Sequence, residues 1–140
     1  MPTLHTFSND HIQQAIALWD ATDHVALSDA DEPDRLAAFI QRNPDLSFVA
    51  LENDEVVGTC LCGHDGRRGY IHHLAVAPTH RRRGLGSQLL TRSLAALRTI
   101  GIDKCHALVF RANAHGELFW QPAGWERRDT LWVYSRLTTG

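Results

Sequence analysis

The segment from Tyr70 to Leu90 reads Tyr-Ile-His-His-Leu-Ala-Val-Ala-Pro-Thr-His-Arg-Arg-Arg-Gly-Leu-Gly-Ser-Gln-Leu-Leu, and it leaves the chain few ways to fold. A short apolar strand runs into a basic turn punctuated by glycine, and that turn opens a long amphipathic helix over Gly84–Ile100. Gly84 and Gly86 remove the Cβ atoms that would hold a ligand away from the backbone. The amides at the start of such a helix lack intrahelical partners and sit at the positive end of its dipole, so they can cradle phosphate. Arg81, Arg82 and Arg83 add charge that does not titrate near neutrality. A P-loop needs a lysine after its second glycine, and none follows here. A dinucleotide fingerprint needs a third glycine, and Leu89 stands in its place.

The bulk properties bound the rest. A chain of 140 residues forms one domain, 1–140, able to bury roughly two-thirds of its unfolded surface. No apolar run approaches the roughly 20 residues of a membrane span. The N-terminus lacks the basic-then-apolar order of a signal peptide. Both point to a cytoplasmic protein with no membrane partner. The three cysteines have no metal or redox spacing, and Cys60 and Cys62 share one face of a strand. With Cys105 they read as buried, reduced thiols, and no metal site is expected.

The net charge of −2 conceals a polarity. Residues 1–55 hold eleven carboxylates against Arg35 and Arg42, a balance of −9, and residues 56–140 hold five against twelve Lys and Arg, a balance of +7. The basic half carries the glycine turn and suits a phosphate-rich ligand, while the acidic half suits a cation. Overall acidity, and the lack of an aromatic-basic stripe, argue against nucleic acid despite Arg67, Arg68 and Arg81–Arg83.

Along the chain, Thr3–Phe7 reads as a strand, and Ser8 or Asn9 can cap a helix over about 10–21. An acidic loop leads to a second helix, Pro33–Asn43, with proline in its first turn. Ser47–Glu52 and Val56–Gly63 form a hairpin around Asn53-Asp54-Glu55. Tyr70–Ala77 is the next strand, and strict alternation turns Tyr70, His72 and Leu74 to one face and Ile71, His73 and Ala75 to the other. The helix over Gly84–Ile100 has Leu85, Leu89, Leu90, Leu94 and Leu97 as its stripe and Gly101 as its stop. A buried strand over Lys104–Phe110, a short helix over Ala112–Trp120 and one or two strands in Gly124–Leu137 complete the order β-α-α-β-β-β-α-β-α-β. That order gives an α/β fold.

The spacing Arg81-x-x-Gly84-x-Gly86 after an apolar strand resembles the coenzyme A pyrophosphate loop of the GCN5-related N-acetyltransferases (GNAT). Phe48-Val49-Ala50 with Val56-Val57-Gly58 is similar to the family's second and third strands. Asn113, Phe119-Trp120 and Gly124-Trp125 resemble its C-terminal signature, and the Asp65–Gly69 hairpin resembles a subgroup of small bacterial members. The resemblance covers nearly the whole chain. It implies a mixed central sheet with splayed fourth and fifth strands and helices on both faces.

For the site, the resemblance implies acetyl-coenzyme A as the cofactor. Its pyrophosphate would rest on Arg81, Arg82, Arg83, Gly84, Leu85, Gly86 and Ser87. Its pantetheine arm would pair with Leu74, Ala75 and Val76 like an added strand, with Asn113, Phe119 and Trp120 around it. The acid/base positions on this strand correspond to Tyr70 and His72. Histidine suits the removal of a proton from an amine near neutral pH, directly or through water, so His72 is the expected base. A backbone amide near Val76 is the expected oxyanion donor. Many relatives carry tyrosine where Trp120 stands, and indole cannot supply the proton that phenol would. Tyr70 or Tyr134 serves instead, or the thiolate leaves unaided.

The acceptor site is implied between the first helices and the C-terminal strands, with Trp19, Asp23, Asp31 and Tyr134 binding an ammonium by charge and cation–π contact. The expected reaction is therefore direct acetyl transfer to a primary amine of a small cationic molecule or a peptide. Protein N-terminal acetylation of the ribosomal-protein type, and acyl-coenzyme A sensing without turnover, stand as alternatives. Homodimers are common in the resembled family, and nothing in the sequence identifies an interface.

Overall fold

The computed structural model of the chain describes residues 1–23, 25–111, 113 and 118–139. It divides into two compact units, Met1–Leu108 and Val109–Gly140.

The first unit is built on a five-stranded sheet whose spatial order follows the chain: β1 (Thr3–Thr6), β2 (Phe48–Glu52), β3 (Glu55–His64), β4 (Gly69–Val76) and β5 (Cys105–Ala107). The first four strands pair antiparallel and β5 joins β4 in parallel, so the sheet is mixed. The helices are α1 (Ile12–Asp20), α2 (Pro33–Arg42) and α3 (Leu85–Thr99). Ile12, Ala15 and Trp19 of α1 and Leu36 of α2 bury against Val49, Leu61 and Ala75 on one face of the sheet. On the other face α3 packs so closely that a Cβ on Gly69 would lie 2.5 Å from Leu97 Cδ1. Its expected stripe is buried at Leu85, Leu89, Leu90 and Leu97, while Leu94 is only half-buried. Ser93 is buried as well, its hydroxyl donating to the Leu46 carbonyl at 2.7 Å.

Local chemistry explains the joints. Ser8 and His11 form a capping box ahead of α1. Pro33 opens α2, where its missing N–H costs nothing. Asn53 and Asp54 both take left-handed φ, 52° and 65°, which gives the β2–β3 hairpin the turn that matches strand twist.

One feature of β4 departs from the alternation expected of it. Cys62 pairs with Ile71 and Cys60 with Leu74, so His72 and His73 together oppose Leu61. That is a β-bulge, and the core requires it. Gly69 faces α3, and Ile71, two residues on, shares that face and is buried. Ala75 is buried on the α1 face, although Ile71 and Ala75 would share a face in a regular strand. The extra residue reverses the parity, and His72 and His73 both come to lie on the α1/α2 face. His72 is edge-on to Phe39 at 5.5 Å, and His73 lies over Trp19 at 4.6 Å.

The last strand of this unit is shorter than expected, Cys105–Ala107 rather than Lys104–Phe110, and half-buried. It pairs only with Gly69–Ile71 and stops where the bulge begins. In the second unit, the helix expected over 112–120 falls largely on residues outside those described. Leu118–Trp120 form a helical turn, which Gly124 closes at φ 95° as the Trp125 amide donates to the Trp120 carbonyl at 3.0 Å. The strand expected in Gly124–Leu137 does not form among the described residues, because strand-favouring side chains without a ladder partner leave the backbone irregular. No helix among the described residues is long and apolar enough to cross a membrane.

Inside the bulge, the Trp19 indole N–H donates to Thr59 Oγ1 at 2.8 Å, and that hydroxyl donates to the His73 carbonyl at 3.2 Å. Thr59→Val keeps the shape but leaves a buried N–H and carbonyl unpaired, so it is expected to destabilise the fold by about 2–4 kcal/mol. Urea unfolding measures this, and an unchanged midpoint would show that the chain of bonds is not holding the bulge.

Candidate active site

The glycine turn forms where it is expected, at the start of α3. Arg82 and Gly84 have left-handed φ of 64° and 75°, with a residue of ordinary handedness between them. Such alternation turns successive N–H groups toward one side. Gly84 is the N-cap of α3 and has no side chain to cap its amides, and the first turn of the helix contains no acidic residue. The first intrahelical acceptor is the Gly84 carbonyl, taken by Gln88 at 3.0 Å, so the amides of Leu85, Gly86 and Ser87 have no partner within the helix. Among the described residues, a Cβ on Gly84 would meet nothing within 4 Å beyond its chain neighbours, so the space at that point of the turn is open. His80, just before the turn, donates from Nε2 to Glu52 Oε2 at 2.8 Å and ties the loop to the end of β2. That bond holds the Glu52 carboxyl below its ordinary range.

β4 leads directly into this turn, and its second half has an open edge. From His72 onward no strand among the described residues pairs with it on the β5 side. The Ala77 amide donates to the Val57 carbonyl at 2.8 Å, so by alternation Ala75 exchanges bonds with Thr59 of β3. Leu74 and Val76 therefore turn their N–H and C=O groups to the open edge, whereas Ala75, expected among the pairing residues, does not. Arg81 Nε donates to the Val76 carbonyl at 3.1 Å, which engages part of a guanidinium expected to meet phosphate.

At the head of that edge stand the histidines. His72 is solvent-accessible, its ring stacked with Tyr70 at 6.4 Å. Partial withdrawal from water pushes its pKa below the ordinary 6.5; His73 pushes the same way and the Asp31 carboxylate opposes them. The neutral, proton-accepting form of His72 therefore predominates at neutral pH.

The residues expected to bind an acceptor divide. Trp19 is fully buried, its indole N–H bonded to Thr59, so it is core and cannot face a ligand. Asp31 is also withdrawn, at 7% exposure; Oδ1 accepts from His73 Nε2 at 2.9 Å and Oδ2 from the Ser28 amide at 3.1 Å. Asp23 is exposed in the loop between α1 and α2. Within the second unit, the Asn113 amide donates to the Phe110 carbonyl at 3.0 Å, Trp120 lies edge-on to Phe119 and Trp125, and Tyr134 belongs to the irregular segment. The pairing of His73 with Asp31 escaped the sequence reading. The one signal for it was two successive polar residues between Ile71 and Leu74, where a regular strand would alternate. A hollow of about 760 Å³ beside Phe7, Asp10 and Ala37 includes no residue of β4 or α3 and does not contribute to this arrangement.

Comparison with known proteins bears on the family and the fold. The family described as Acetyltransferase (GNAT) family matches residues 12–125. An acetyltransferase of Pectobacterium atrosepticum is 30% identical over 134 residues, 96% of this chain and 94% of its own length. An uncharacterized N-acetyltransferase of Yersinia pestis is 28% identical with the same coverage. Among solved structures, the PaiA N-acetyltransferase of Thermoplasma acidophilum in complex with coenzyme A has a TM-score of 0.80 at 18% identity, over 93% of this chain and 92% of that one. The aminoglycoside N-acetyltransferase AAC(6')-Iy, in complex with a bisubstrate analogue, has a TM-score of 0.76 at 17% identity, over 98% and 99%. At these identities the structural likenesses speak for the fold.

The cysteines lie apart from the histidines, on the α3 side of the sheet. Burial pushes the Cys60 thiol up to about 12, and hydrogen bonding to Cys105, with burial, raises Cys62. The same bond from Cys62 lowers Cys105, which is half-exposed. Among the described residues, the groups that act on Cys60 and Cys62 are Ser93 and the other cysteines, and none of these is a base that would make a nucleophile of either. With the three cysteines free, Ellman's reagent is expected to titrate about one thiol, Cys105, in the native protein and all three in denaturant. Rapid loss of Cys60 or Cys62 in the native state would contradict their burial.

Proposed function

The chain belongs to the acetyltransferase (GNAT) family, and on that premise we propose that it moves an acetyl group from acetyl-coenzyme A to a primary amine of a small cationic molecule or peptide, by direct attack. One observation carries the reading: an open strand edge runs straight into an uncapped glycine turn, with a neutral histidine at the head of the edge.

The residues fit the cofactor. Its pyrophosphate suits the amides of Leu85, Gly86 and Ser87, with Arg82 and Arg83 exposed beside them. Its amide-rich arm suits the edge groups of Leu74 and the carbonyl of Val76. When bound, the thioester supplies an activated acyl carbonyl. The chain's own residues do the rest. His72 accepts the proton that the acceptor ammonium must lose before attack, directly or through a water. The Val76 N–H, on the open edge, is the donor we assign to the developing oxyanion. Tyr70, stacked with His72, is the phenol we assign to the departing thiolate in place of Trp120.

For the acceptor, the balance of −9 over residues 1–55 and the exposed Asp23 support a cation. Two of the structural neighbours are aminoglycoside acetyltransferases, whose acceptors are amines. Trp120 favours a second reading, an acyl-coenzyme A sensor without turnover, because indole cannot protonate a thiolate.

A thiol-release assay with acetyl-coenzyme A against amines, polyamines, amino acids and N-terminal peptides tests the proposal. Turnover on one class is expected, falling about 100-fold or more in His72→Ala. Since the pKa of His72 is lowered, the acid limb of kcat/KM should have its midpoint below 6.5 and vanish in the variant. Tight cofactor binding with silence across the panel would move the sensor reading ahead. Separately, Gly84→Glu sets a side chain and a negative charge into the cradle and forces a non-glycine residue to φ 75°. Calorimetry should find coenzyme A binding abolished, and unchanged affinity would remove the cradle from the proposal.

A further inference from the structure

We propose that Asp31 and His73 act as one positioning unit that holds His72 in the orientation a base requires; this rests on the reading of His72 as the base. The bulge sets the two imidazoles side by side on one face, but they are held very differently. The His72 ring is accessible, with Phe39 edge-on and Tyr70 stacked against it. His73 is gripped at both ends. Its carbonyl accepts from Thr59 Oγ1, and its Nε2 donates to Asp31 Oδ1 at 2.9 Å while its ring lies over Trp19 at 4.6 Å.

Asp31 extends the grip to a second element. It closes the short helical turn Asp29–Asp31 that leads into α2, its Oδ2 accepting from the Ser28 amide. The side chains of His73 and Asp31 are 15% and 9% exposed, so water competes little for their bond. One carboxylate thus joins the turn before α2, which carries Phe39, to the bulge of β4, which carries His72. Two contacts that orient the His72 ring, the Phe39 edge and the backbone beneath it, come from the two elements that Asp31 joins. Both oxygens of Asp31 are engaged in this way, and the carboxylate expected to meet an ammonium instead fixes the scaffold around the base.

Three variants of the whole protein, each checked for folding by thermal unfolding, test the proposal. His73→Phe keeps a ring over Trp19 and loses the Nε2 donor. Asp31→Ala removes the acceptor. His73→Gln keeps a side-chain N–H that can reach Asp31. The first two are expected to lower kcat by about 10- to 100-fold through misorientation of the base. KM for acetyl-coenzyme A should stay within about 2-fold, since the glycine turn is untouched. His73→Gln should recover most of the loss. In long-range 1H–15N spectra, the His72 ring signals should broaden or double in His73→Phe and Asp31→Ala and sharpen again in His73→Gln. Wild-type kcat in His73→Phe would overturn the proposal. So would His73→Gln as slow as His73→Phe, because the imidazole of His73 would then be doing chemistry itself. Wild-type turnover in His72→Ala would end the base reading alone, and the His72 ring signals of the other variants would still decide whether the pair holds that ring.

Discussion

Gly69, Ile71 and Ala75 impose a parity on β4 that a regular strand cannot meet. Gly69 has no room for a Cβ against Leu97, and Ile71 shares its face, while Ala75 is buried on the opposite face among Trp19, Leu36 and Val49. Side chains alternate with a period of two, so one extra residue must be inserted between Ile71 and Ala75. The bulge at His72 and His73 is that residue. It brings two imidazoles to one face, and it stands where β5 ceases to pair, so the open edge of β4 begins beside them. A bulge leaves ladder groups to be satisfied by other means, and here Thr59 takes the His73 carbonyl and the Trp19 indole takes Thr59.

From that constraint follows a division of labour along one stretch of chain. The open edge and the glycine turn offer main-chain groups, which can hold phosphate and amide without regard to side-chain identity. The histidine face offers a titratable side chain whose partial burial favours its neutral form. In the proposed reaction the backbone would hold one reactant and the imidazole would handle the proton, and the two roles would not interfere because they occupy the edge and the face of the same strand.

How much of this was legible in the sequence depends on the range of the interaction concerned. Gly84, the arginines before it and the leucine stripe after it act within a few residues, and the turn and helix form as read. The hairpin over Asn53 and Asp54 and the proline start of α2 are local in the same sense. The faces of β4 were misjudged because strict alternation assumes an unbroken ladder, and the reason to break it lies in Leu97 and Trp19, far away in sequence. Trp19 and Asp31 are expected at a ligand because the family resemblance puts the acceptor beside the first helices and their residue types suit a cation. The partners that take them out of solvent, Thr59 and His73, are each about forty residues away.

The sequence by itself determined the elements of the first unit, the glycine turn before α3 and the family to which the chain belongs, because helix periodicity, glycine handedness and spacing are properties of neighbouring residues. Only the tertiary structure decided which way His72 and His73 face, which carboxylate is engaged and where β4 is left unpaired. Those outcomes depend on which side chains already fill each face of the sheet, and packing space is contested by residues that the order along the chain does not bring together.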